Sequence, residues 1–119
     1  MTTYRLQRLA DVDLVFEGEL LADESTYERG IQRWQEVRIY RTDSDRWVVE
    51  RTGKSIVPNE VDRPNVTVCD TPADVRAAMT FQHKHKGQDR SYVTDVCYGA
   101  MQSAAEKDHR LDEALVVRV

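Results

Sequence analysis

Residues Gln35-Glu36-Val37-Arg38-Ile39-Tyr40-Arg41-Thr42, Asp43-Ser44-Asp45 and Arg46-Trp47-Val48-Val49-Glu50-Arg51-Thr52 decide the fold. The two outer runs alternate their apolar positions, the period of a half-buried strand. Asp43, Ser44 and Asp45 favour a turn, because such side chains bond nearby backbone groups. A three-residue loop pairs Arg41 with Trp47, Ile39 with Val49 and Val37 with Arg51. On the other face it sets Tyr40 against Val48 and Arg38 against Glu50. A slip of one residue would put Ile39 opposite Glu50 and mix the faces. Ile39, Trp47 and Val49 are therefore expected in the core, with Arg41 placed to lie on the Trp47 ring.

Toward the N-terminus, Tyr4 to Leu9 and Leu14 to Ala22 read as two strands around an Ala10-Asp11-Val12-Asp13 turn. Phe16, Gly18, Leu20 and Ala22 fall on one face of the second. Asp23 to Arg33 is polar and reads as a loop or short helical turn. Toward the C-terminus, Gly53 to Pro64 is a connector holding Pro58 and Pro64, and Val66 to Val68 is a strand.

The pattern changes near Thr71, where apolar residues begin to recur at helical spacing. Thr71-Pro72-Ala73-Asp74 combines an N-cap, a proline at the first helical position and an acid at the third. Val75, Ala78 and Met79 form the stripe of that helix. Gln82 to Arg90 reads as a polar, basic linker between helices. A second helix spans about Tyr92 to Lys107, with Ser91 as its cap. Val93, Val96, Cys97, Ala100, Met101 and Ala104 form its apolar stripe. Leu111, Ala114 and Leu115 suggest a further turn, and Val116 to Val119 a short strand.

The expected class is α+β. An antiparallel sheet of about four to five strands comes from the N-terminal half, with two to three C-terminal helices on one face. The alternative places Val66–Cys69 and Val116–Val119 in the sheet as parallel neighbours.

A chain of 119 residues fits a single domain over 1–119. No apolar run approaches the ~20 residues of a membrane-spanning helix. Met1 to Arg5 shows no apolar signal core, so a cytoplasmic location and no membrane partner are expected. The net charge is −4. Weak acidity disfavours general duplex-DNA binding, which needs a positive face to release counterions. Arginine outnumbers lysine 13 to 4, first a sign of coding bias and only second of selection for bidentate contacts. Cys69 and Cys97 are expected reduced and buried.

No motif carries a specific chemistry. Gly53-Lys54-Ser55 resembles the end of a phosphate loop, but Val48 stands where the first glycine belongs and Pro58 prevents the helix that would follow. His83 and His85 could begin a metal site, yet a third ligand must come from Asp89, His109 or Cys69, and Lys84 and Lys86 repel a cation. No metal and no cofactor are expected. The acid pairs Asp11/Asp13, Glu17/Glu19, Asp43/Asp45 and Asp112/Glu113 read as solvated, since a catalytic pair needs one member desolvated and its pKa raised. Cys69, between a strand and a helix start, is the least implausible nucleophile, while Asp70 and Thr71 at the same junction read equally as capping groups.

Trp34, Tyr40 and Tyr27 fall outside the expected core face of the hairpin. With Arg33, Arg38 and Arg41 they suit a protein interface, where such residues are enriched, or a stack of single-stranded bases. A fold of Asp23–Arg33 over that face would bury them instead. The reading carried forward is a non-catalytic interaction module that binds another protein or self-associates as a homodimer through Trp34, Arg38, Tyr40 and Arg41. The runner-up is a nucleic-acid accessory protein using Lys84, Lys86 and Arg90 with the hairpin arginines. A small enzyme with a site near Cys69 comes third.

Overall fold

The computed structural model describes residues 1–85 and 87–118, with backbone only at 84, 85, 88 and 89. Five strands, β1 (Thr2–Leu6), β2 (Leu14–Ser25), β3 (Arg33–Thr42), β4 (Trp47–Ser55) and β5 (Arg63–Cys69), form an antiparallel sheet in sequence order. The β3–β4 register pairs Arg41 with Trp47, Ile39 with Val49 and Arg38 with Glu50, as the alternation requires. Asp45 adopts φ 62, the left-handed residue that closes a three-residue hairpin loop. β5 runs antiparallel to β4, which removes the parallel alternative. Residues 116–118 form no strand, and Val119 lies outside the described residues.

β2 departs from the sequence reading at one point. The register passes from Leu20 opposite Tyr40 to Ala22 opposite Ile39, leaving Leu21 as an extra residue. This β-bulge turns both Leu21 and Ala22 into the helix-side core, while Phe16 and Leu20 stay on the opposite face. The single face expected for Phe16, Gly18, Leu20 and Ala22 therefore breaks at Leu21. Just before it, Gly18 lies so close to β3 that an added Cβ would sit 2.0 Å from the Arg41 carbonyl oxygen.

The helices cover one face. α1 (Pro72–Ala78) begins with the expected Thr71 cap and Pro72, and Asp74 completes a reciprocal capping box with Thr71. α2 (Asp95–Lys107) starts later than the apolar spacing suggests and is capped by Thr94, not Ser91. The preceding residues are taken up by a hairpin, β6 (Thr80–His85) and β7 (Gln88–Val93), where a linker was expected. Cys97, Ala100, Met101, Ala104 and Ala105 are the buried side of α2. The small Cys97, Ala100, Ala104 and Ala105 let α2 approach β2 and β3 closely, with Met101 filling the space between. A 3₁₀ segment, His109–Leu115, buries Leu111 and Ala114. Leu21, Val37, Ile39, Trp47, Val49 and Cys69 complete this core from the sheet. Burying one such side chain fully stabilises by roughly 1.5–3 kcal/mol.

A second, smaller cluster occupies the other face of the sheet. Leu6, Tyr40 and Val48 pack with Tyr4, Leu14, Phe16, Leu20 and Val66. All five strands contribute, including β1 and β5, the two edges. The sheet is thus curled until its edges share one apolar cluster. The rings of Tyr4, Phe16 and Tyr40 stand 4.7 to 5.5 Å apart at its centre.

Candidate protein-interaction surface

Alternation along β3 sends Trp34, Glu36, Arg38 and Tyr40 to the face opposite the helices. The structure links them into one chain of polar contacts. Trp34 Nε1 donates to Glu36 at 3.0 Å, and Arg38 approaches Glu36 at 3.5 Å. Arg38 also donates to Asp23 at 3.2 Å and lies 3.6 Å from Glu50. The Tyr40 hydroxyl donates to Glu50 at 3.1 Å. Burial, with Glu50 beside it, raises the Tyr40 phenol above its ordinary pKa.

The two ends of this chain differ. Tyr40 is 3% exposed and belongs to the second core. The curl of the sheet, not a fold of residues 23–33, covers it. It is no surface residue, which corrects its place in the expected contact face. Arg38 is engaged by three carboxylates. Trp34 stays partly exposed, and Tyr27, 54% exposed, meets it edge-on with ring centroids 4.8 Å apart. Neither ring belongs to either core cluster.

Arg41 points to the helix side, away from the other three. It pairs with Glu19 and lies 3.7 Å from Asp108. The ring of Trp47 carries Arg110, not the expected Arg41, with the guanidinium 4.9 Å from the ring centroid. Arg110 also grips Asp108 through Nε at 3.0 Å and Nη2 at 2.8 Å, while Trp47 Nε1 donates to the same carboxylate at 3.2 Å. These bonds hold the Asp108 carboxyl below its ordinary pKa against the effect of burial. This cluster ties the 3₁₀ segment to the hairpin and serves the fold.

Beside Trp34 the connector 56–62 folds back on the strand ends. Arg33 grips Glu60 with a two-pronged contact at 2.8 and 2.7 Å, and Ser55 Oγ donates to Glu60 at 2.6 Å. The Arg33 and Ser55 bonds pull the Glu60 carboxyl down to about 2. Lys54 meets Asp62 at 3.0 Å. Asn59 takes φ 69, which lets the turn reverse. The result is a cleft of about 370 Å³ walled by Trp34, Val61, Arg33, Lys54, Arg63 and Glu60, among others. Its wall holds three cations and one carboxylate. The sequence signalled the turn through Pro58 and Pro64, but not the return of Glu60 to Arg33, which lies 27 residues away.

The other sequence candidates scatter. Lys84 lies in β6 and Arg90 in β7, where Arg90 is exposed and faces His83 across the ribbon. Lys86 lies outside the described residues. Cys69 and Cys97 are free thiols, both fully buried. Burial, with Asp74 and Asp70 nearby, pushes the Cys69 thiol up to about 11, the reverse of what a nucleophile requires. Among the described residues no group of three or more His, Cys, Asp or Glu could hold a metal. No helix among them is long and apolar enough to cross a membrane. In comparisons with known proteins, no family model, curated protein or solved structure matches the chain.

Proposed function

We propose that this chain is a non-catalytic interaction module that docks a protein partner on the Tyr27–Trp34 end of its sheet. The supporting observation is that aromatic pair: two large rings, outside both cores, next to a cleft rimmed by Arg33, Lys54 and Arg63. Ring pairs of this kind act as anchors at interfaces because they bury much area with few torsions to fix. Arg33 and Lys54 are already paired with Glu60 and Asp62, so Arg63 is the rim cation with no ion pair among the described residues, and it favours a partner segment with an acid beside one apolar side chain. Arg38 and Arg41 act here as supports, since their charge is satisfied within the chain. The partner is another protein in the cytoplasm or a second copy of the chain.

The test is the double substitution Tyr27→Ala/Trp34→Ala. The expected result is a nearly unchanged melting temperature, with loss of the partner that co-purifies with the tagged chain. If the partner is a second copy, light scattering shows the mass falling from twice 13.8 kDa to 13.8 kDa. A large loss of stability, or undiminished association, would contradict the proposal.

A further inference from the structure

The β6–β7 ribbon sets Phe81 opposite Tyr92 and His83 opposite Arg90. Side chains alternate along a strand, so these four share one face. Phe81 and Tyr92 stack with centroids 5.6 Å apart and planes 19° from parallel, and Tyr92 is half-exposed. The Arg51 guanidinium from β4 lies 4.4 Å from the Phe81 centroid. Its Nε is buried without a hydrogen-bond partner. A buried donor left unpaired in a folded chain calls for an explanation. Arg33, Arg38, Arg41 and Arg46 each hold a carboxylate. Among the described residues, Arg51 and Arg90 hold none, nor do Arg29, Arg63 and Arg76.

Stacked rings flanked by unopposed guanidinium groups match one ligand chemistry well, a flat base joined to a phosphate. We propose that the ribbon face formed by Arg51, Phe81, Tyr92 and Arg90 binds single-stranded nucleic acid. The open side of Tyr92 stacks on a base. Arg90 and Arg51 take the flanking phosphates, Arg51 with its plane already fixed by Phe81. The surrounding sequence agrees, since His83, Lys84, His85, Lys86 and Arg90 stand against one acid, Asp89. A single strand fits better than a duplex, because the net charge of −4 leaves only a local positive face. This site lies on the helix side of the sheet, across it from Trp34, and does not depend on the Tyr27–Trp34 surface.

The test is fluorescence anisotropy with a labelled oligothymidylate of about fifteen nucleotides, near the upper site size of small single-strand binders. Binding is expected at low salt, weakening about tenfold or more between 50 and 200 mM salt. Arg90→Glu and Tyr92→Ala should each weaken it about tenfold, the range of one stacked base or one lost phosphate contact. Tyr92→Phe, which keeps the ring, and Trp34→Ala should leave it unchanged. Arg90 is exposed, so Arg90→Glu decides the matter if Tyr92→Ala unfolds the ribbon. Absence of binding at low salt, or binding indifferent to Arg90→Glu, would overturn the proposal. So would displacement by polyglutamate as readily as by unlabelled oligonucleotide, which would indicate an acidic protein as the ligand.

Discussion

The Asp108 carboxylate accepts from the Trp47 indole and from the backbone N–H, Nε and Nη2 of Arg110 while only 5% exposed. Removing it strands a buried donor, so Asp108→Ala should cost about 1–3 kcal/mol in urea denaturation. Its folded pKa is depressed, so its contribution is present above the ordinary carboxyl value and is lost as pH falls through the folded one. The stability gap between wild type and Asp108→Asn should therefore shrink below about pH 4. A constant gap down to the acid transition would refute this. Gly18 makes a second residue-level case. Gly18→Ala places a Cβ against the Arg41 carbonyl and should destabilise by about 1–3 kcal/mol. Gly53→Ala meets open space and should be tolerated in the same assay. Trp47 was legible as core from alternation alone. Its partners were not, because Asp108 lies 61 residues away and reaches it only through the tertiary fold. Alternation also separates Arg41 from Trp34, Arg38 and Tyr40. Grouping all four by nearness in sequence ignored that separation.

At the scale of elements, local pattern was a sound guide wherever pairing or capping is local. The β3–β4 register follows from eighteen consecutive residues, Gln35 to Thr52. The start of α1 follows from Thr71, Pro72 and Asp74, and Thr71→Ala should cost about 1 kcal/mol in thermal or urea unfolding. The β6–β7 ribbon was illegible because its strands carry almost no apolar alternation. Phe81 is the lone large apolar residue of β6. Its pairing rests on Gly87, at φ 76, and on the anchoring of Phe81 and Val93 against the main core. Missing it also shifted the start of α2 from Asp95 back to Tyr92. The bulge at Leu21 was hidden for another reason. Its neighbours are apolar on both sides, so the change of face leaves no mark in the pattern.

Across the whole molecule, the curl of the sheet decides what the chain presents to solvent. It creates a second core, encloses Tyr40 within it, and leaves Tyr27 and Trp34 outside both clusters. No stretch of sequence announces that curl, because it depends on β1 and β5 meeting over one cluster. The helices, on the other face, seal Cys69 in the helix-side core, so the thiol should resist iodoacetamide at neutral pH in the folded state and react once unfolded. Rapid alkylation of folded protein would contradict that burial and favour the reading of an enzyme with a site near Cys69. The Tyr27–Trp34 surface is tested most directly by placing a photo-crosslinking amino acid at position 27, in cells, beside a control at Tyr98 on α2, which is similarly exposed. A docking surface at Tyr27 predicts one discrete protein adduct from position 27 that disappears with Trp34→Ala and is absent from position 98. No adduct from position 27, or the same adducts from both positions, would contradict it.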